Sequence, residues 1–304
     1  MVERRIRNNI TNADDRFGGY KPEIDSPVRK LKVEHGETLR ELKTIFRKFL
    51  RKNIKGTQER GFLTAQDVAK EMIADISYTA KDVEKFSLVL AEFQHEKDFP
   101  ERAGRFLSVL INKGKDSNYV LHTGHLEHIS YIGVENIKNI VIEGDGGDEV
   151  AYGMESGKIV LKGDTGSAAG DFLSGGELII KGNSGNGLGR SMSGGKIILH
   201  GNLNNPCIYV SAGDMMRGGE IIILGNVGDN LGHSTKGGKI TVMGDAGDNV
   251  GTLMSGGEIH LNGEFGSLAR ENDNPNFAYQ RNGLIYHKGV LILDRATLRG
   301  PRSY

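Results

Sequence analysis

Three histidines, His122, His125 and His128, fall at three-residue intervals in VLHTGHLEHISYIG. Three imidazoles are enough to hold a zinc ion. On a strand, however, the first and second would point to opposite faces, and the segment sits where one type of sequence gives way to another. Surface or junction histidines are the plainer reading, and no metal site is expected. A second set reads differently. Asp171, Arg190, Asp214, His233 and Thr252 each stand five residues ahead of a recurring glycine, so they fall in one stripe. Acid, base and hydroxyl on a stripe are the material of sugar binding or hydrolysis, and glycosidic chemistry needs two carboxylates close together. Only Asp171 and Asp214 are acidic, and they stand two repeats apart. A solvated stripe without a catalytic residue is the expectation.

The 44 glycines raise the question of phosphate binding. A P-loop needs G-x-x-x-x-G-K-[ST]. Here the strand lysines that follow glycine precede isoleucine, as in Gly195-Lys196-Ile197, and Gly185-Asn186-Gly187-Leu188-Gly189 does not match G-x-G-x-x-G. No cofactor is expected. A single cysteine, Cys207, leaves no internal disulfide and suits a reducing compartment; a buried small hydrophobe is its expected role. The opening MVERRIRNNI has no apolar signal core, and no run approaches the roughly 18 apolar residues of a membrane span. The chain is expected to be cytoplasmic.

The elements that would position these residues come in two kinds. Residues 1–35 read as a polar basic arm, and residues 36–117 as a helical domain. Leu39, Leu42, Phe46, Phe49 and Leu50 repeat at helical spacing. Thr64 reads as the N-cap of a second helix. Thr79 with Asp82 reads as a capping box before a third, and Pro100 opens a fourth that ends near Gly114. The first 60 residues hold 16 Lys or Arg against 9 Asp or Glu, a surplus of +7. No aromatic residues interleave with them to stack on bases. Nucleic acid is therefore not expected, and a net charge of zero for the whole chain gives no case for a membrane surface.

Beyond residue 117 the chain repeats. A glycine ahead of each short apolar run falls at Gly157, Gly176, Gly195, Gly219, Gly238 and Gly257, in steps of 19, 19, 24, 19 and 19. A fixed period near twenty predicts a stacked solenoid. The runs KIVLK, ELIIK, KIILH, EIIIL, KITVM and EIHLN read as its strands. NIVIEGDGG and GLIYHKG fit as an earlier and a later coil, which makes about eight coils of about 19 residues within 118–294. The apolar columns predict a continuous core. The column Met154, Leu173, Met192, Met216, Thr235 and Met254 belongs to that core and not to a soft-metal site, because no Cys or His joins it.

One column tests the stacking directly. Lys158, Glu177, Lys196, Glu220, Lys239 and Glu258 alternate in sign without a break. Stacked parallel strands put equivalent residues about 4.8 Å apart. Alternation then turns each neighbour into an attractive pair, worth about 0.2–1 kcal/mol when exposed. The Asp or Asn that follows each strand, as at Asp145, Asp164 and Asn183, is expected to bond nearby backbone in a turn.

The recurring pattern stands as GDTGSAAGDFLSGGELIIKG, GNVGDNLGHSTKGGKITVMG and GDAGDNVGTLMSGGEIHLNG. It resembles the GXGXG domain, which closes the large subunit of glutamate synthase and forms most of one of the subunits of formylmethanofuran dehydrogenase. The resemblance covers about residues 138–268 and implies a right-handed parallel β-helix. It also implies a rigid, non-catalytic body against which catalytic subunits pack, so no catalytic residue is carried over. The fold expected is thus α+β, a helical bundle followed by a parallel β-helix. The partners expected are other protein subunits or further copies of the chain. The 24-residue coil carries five extra residues, and its Asn204, Asn205, Cys207 and Tyr209 are the expected contact, since a bulge on a regular surface is where function collects. The alternatives are a self-assembling structural protein and, further off, an enzyme of carbohydrate or amide chemistry.

Overall fold

The computed structural model describes residues 36–52, 54, 61–203, 211–269 and 283–294. Four helices come first: α1 (Glu37–Arg51), α2 (Gly61–Met72), α3 (Ala80–Val89), which runs on into a 3-10 turn at Leu90–Phe93, and α4 (Phe99–Lys113). The five apolar residues of α1 that repeat at helical spacing are all buried. Phe46 sits at the centre, with the rings of Phe106, Phe93 and Phe86 at 5.1, 5.2 and 5.5 Å. Burying a ring of this kind stabilises by about 1.5–3 kcal/mol. Helices of 10–15 residues are marginal alone, so this cluster is what holds them. The capping box at Thr79 is present, with the Asp82 N–H donating to Thr79 Oγ1 and the Thr79 N–H donating to Asp82 Oδ2 at 2.9 Å. Pro100 lies in the first turn of α4, and Gly114 ends it. Thr64 is not a cap, because α2 already begins at Gly61. A threonine in a first turn costs only a few tenths of a kcal/mol, too little to set the boundary.

The rest is a parallel β-solenoid of about seven turns. Strands β1 (Asn118–His122), β2 (Asn139–Glu143), β3 (Lys158–Leu161), β4 (Glu177–Ile180), β5 (Lys196–Leu199), β6 (Glu220–Ile223), β7 (Lys236–Val242), β8 (Gly256–Leu261) and β9 (Leu284–His287) stack in chain order, all parallel. Strand β10 (Val290–Asp294) turns back antiparallel on β9. The alternating charges stand in register from Lys158 to Glu258. Two of the pairs close to 2.8 Å, Lys158–Glu177 and Lys196–Glu220. The five extra residues between β5 and β6 leave the register intact. Strand β1, part of the histidine segment, is an additional rung; no glycine of the repeat precedes it.

The core columns are fully buried, and so is the methionine column. Thr235 joins that column because its hydroxyl donates to the carbonyls of Gly232 at 2.8 Å and Gly213 at 3.1 Å. Two glycines show what the repeat demands. Gly195 has φ +72°, and a Cβ there would lie 2.4 Å from Leu173 Cδ2, so both the left-handed backbone and the space require glycine. At Gly201 the need is close approach alone, since a Cβ would meet the Gly182 carbonyl oxygen at 2.4 Å.

The strand-end Asx residues do not fold back onto a local turn. Asp145 Oδ1 accepts from the Asp164 N–H at 2.8 Å, and Asp164 Oδ1 from Asn183 at 2.6 Å. The series continues through Asn202, Asn226 and Asp245 to Glu264 at 2.8–2.9 Å. Stacking brings the next coil's N–H within reach of each side chain, so the ladder joins coils to one another.

The helices close the first end of the stack. Ser108 of α4 accepts from the N–H groups of Gly133 and Val134 at 2.9 and 3.2 Å. Ser87 of α3 accepts from the His122 N–H on β1 at 3.0 Å. Gly104 lets α4 approach; a Cβ there would sit 1.8 Å from the Ser130 carbonyl oxygen. An edge strand needs cover or pairing, and β1 is covered.

Candidate functional site

Each coil turns a corner just ahead of its strand, and the stripe residues lie there. The corner backbone is unusual. The residue after each stripe residue is left-handed: Phe172, Ser191, Met215, Ser234 and Leu253 have φ between +53° and +55°, and Gly153, the equivalent position one coil earlier, has φ +61°. The conformation repeats because its N–H donates to the stripe carbonyl of the next coil. Phe172 donates to Arg190 at 2.9 Å, Ser191 to Asp214 at 2.8 Å and Ser234 to Thr252 at 2.7 Å.

The stripe side chains pair off. Arg190 donates from Nε to Asp171 Oδ2 at 3.0 Å and from Nη2 to the same oxygen. The Asp171 side chain has no exposed surface, against 36% for Arg190. Its other oxygen, Oδ1, is buried without a hydrogen-bond partner. Burial pushes the Asp171 carboxyl above its ordinary range, and the Arg190 bond pulls only part of the way back. The same bond holds Arg190 more firmly protonated. Asp214 Oδ1 lies 2.9 Å from His233 Nδ1. An ionised carboxylate only accepts, so His233 donates from Nδ1 and presents Nε2. Among the described residues no serine or threonine hydroxyl is bonded to that imidazole. The stripe is thus one ion pair, Asp171–Arg190, and one carboxylate–imidazole hydrogen bond, Asp214–His233, and its two acids are not left facing each other across a substrate.

A further polar chain runs from the helices onto the first coils. Glu101 accepts from Arg105 Nε at 2.9 Å. The Arg105 guanidinium lies 3.7 Å from the centre of the Tyr131 ring, and the Tyr131 hydroxyl donates to Glu149 Oε1 at 2.9 Å. Burial raises the Glu149 carboxyl, with the Tyr131 bond opposing it, and lowers Arg105, with Glu101 opposing. A guanidinium on an aromatic face beside a carboxylate is a clamp; here it fixes α4 to the solenoid.

The corner also carries side chains that sequence reading passed over. Phe172, Met215 and Leu253 are 49, 42 and 39% exposed, and Ser191 and Ser234 stand between them in the column. Tyr152 packs on Phe172 with ring centres 5.4 Å apart. A non-glycine residue in the left-handed region costs about 1–2 kcal/mol, and Gly153 shows that glycine fits the same place. Neither burial nor backbone preference explains large apolar side chains here. The signal was in the sequence as one column reading Phe, Ser, Met, Ser, Leu.

The three histidines have three different surroundings. His122 Nε2 lies 3.3 Å from Glu84 Oε1. Burial lowers the basicity of His125. His128 Nε2 lies 3.1 Å from Ser130 Oγ and lines a cleft of about 250 Å³ with Glu127, Asp145 and Asp164. Among the described residues no three His, Cys, Asp or Glu are grouped to hold a metal ion. Asn204, Asn205, Cys207 and Tyr209 lie outside the described residues. No helix among the described residues is long and apolar enough to cross a membrane. A search against models of known protein families finds no match to the chain, and neither does a search of curated proteins.

Proposed function

We propose that the protein is a non-catalytic scaffold whose solenoid docks other protein subunits. The observation that carries this reading is the row Phe172, Met215 and Leu253. It is apolar, exposed and held in a backbone conformation that costs stability. Large exposed apolar side chains set on alternate coils of one rigid row offer anchors for a partner, and strain kept in place points to function. The stripe beside the row supports the same reading, because its acids and bases are engaged with one another. The GXGXG-like repeat suggests the kind of assembly: an oxidoreductase complex of the glutamate synthase or formylmethanofuran dehydrogenase type, with the catalytic groups on other chains.

Self-assembly is the second reading. The helices cover the β1 end, so open-ended stacking through that end is disfavoured. The Asp214–His233 pair is what an enzyme reading would rest on. The test is gentle affinity purification from the source cell with mass spectrometry of the retained chains. The wild type is compared with the variant Phe172→Ser/Met215→Ser/Leu253→Ser. Partner chains in fixed ratio with the wild type, lost with the variant, are the expected result. Equal retention by both would overturn the role of the row.

A further inference from the structure

The outward face of the sheet carries a charge pattern that matches itself when reversed. Its first column runs Lys158, Glu177, Lys196, Glu220, Lys239, Glu258, in register. An alternating row with an even number of members is converted to its complement by reversal. A two-fold axis along the strand direction, between β5 and β6, lays this column against the reversed column of a second copy. Every lysine then meets a glutamate, with Lys196 and Glu220 nearest the axis. An axis through a strand would instead set like against like.

The other columns of the face agree with the same axis. The middle column is half-buried and aliphatic over most of its length, with Ile179, Ile198 and Ile222 at its centre; the axis sets Ile198 against Ile222. The outer column holds Leu224 and Met243, which are 43 and 50% exposed. The axis sets Leu224 against His200 and Met243 against Lys181, and at its ends Glu143 against Lys288, with no like-charged pair. We propose that this face joins two copies of the chain into an isologous dimer. From β2 to β9 the face is about 34 Å tall and about 15 Å wide. That gives roughly 500 Å² per copy, near the lower limit for a stable pair of proteins, so the charges decide the register as well as the partner. The face is formed by the strands and does not include the corner row, so the dimer does not depend on the docking reading.

The test is a charge swap read by sedimentation. The full-length wild type is expected to sediment at twice its 33.1 kDa. Lys196→Glu places glutamate against glutamate at two symmetric contacts and is expected to weaken the dimer at least about tenfold, since close like charges at an interface repel. Glu220→Lys does the same with lysine against lysine. An equimolar mixture of the two variants restores opposite charges at both contacts and is expected to recover the dimer as a heterodimer. Circular dichroism on each variant is the check that the chain stays folded. A monomeric wild type would overturn the proposal. So would a mixture that associates no better than either variant alone, because a merely structural effect of each substitution has no reason to be rescued in trans.

Discussion

Arg190→Met would leave the Asp171 carboxylate without its cation, in a place where water cannot readily replace it. Asp171 has no exposed surface, and Arg190 makes two hydrogen bonds to its Oδ2 while Oδ1 has none. Removing one partner of a buried ion pair costs about 3–5 kcal/mol. Arg190 itself is 36% exposed, so water admitted beside Asp171 reduces this, and about 2–4 kcal/mol is the expectation. The sign with pH is fixed. The folded-state carboxyl already sits above its ordinary range through burial. Without Arg190 it rises further, so the folded protein takes up the proton more readily than the unfolded chain. Protonation then favours the folded state, and stability is regained as pH falls through the folded value towards the unfolded one. Urea unfolding of wild type and variant should show the deficit greatest near neutral pH and narrower at about pH 5. The double variant Asp171→Asn/Arg190→Met should recover most of the loss and show no such trend. A deficit below about 1 kcal/mol, or one that does not change with pH, would refute a buried carboxylate held by Arg190.

Three other outcomes are expected from the same geometry. Asn226→Ala removes the acceptor of the Asp245 N–H, 2.8 Å away in the ladder between coils; a loss of about 0.5–1.5 kcal/mol in urea unfolding is expected. Gly195→Ala forces a Cβ into a left-handed residue 2.4 Å from Leu173 Cδ2, and should lower the unfolding midpoint by the equivalent of about 2 kcal/mol or more. Met215→Gly at φ +53° relieves the backbone while releasing an exposed side chain. The isolated protein should lose no stability to within about 0.5 kcal/mol, and a larger fall would show that Met215 is there for packing.

Much of the fold was legible because the solenoid repeats its own constraints. Glycine at a fixed period, paired apolar columns and alternating charge all follow from strands about 4.8 Å apart, and each can be read along a single chain. The five buried positions of α1 were legible for the same kind of reason, a helical period. The first rung was not, because β1 is flanked by Ser117 and Thr123, with no repeat glycine directly at either end, and takes its cover from α3 and α4. The Asx ladder was misread as local turns because its partners lie 19 residues away, and only stacking brings them together. The stripe of Asp171, Arg190, Asp214 and His233 was found as a column. Its division into two bonded pairs depends on side-chain direction, which a column does not give. The exposed row was hidden by its chemistry, since Phe172, Met215 and Leu253 look like core residues until the backbone at φ +53° to +55° turns them outward.

The scaffold reading is tested most directly by hydroxyl-radical footprinting of the protein inside its native assembly and alone. Met215 is the reporter, a readily oxidised side chain 42% exposed in the middle of the corner row. The account predicts that Met215, Phe172 and Leu253 are oxidised in the isolated protein and protected in the assembly. Equal oxidation of the three in both states would contradict it.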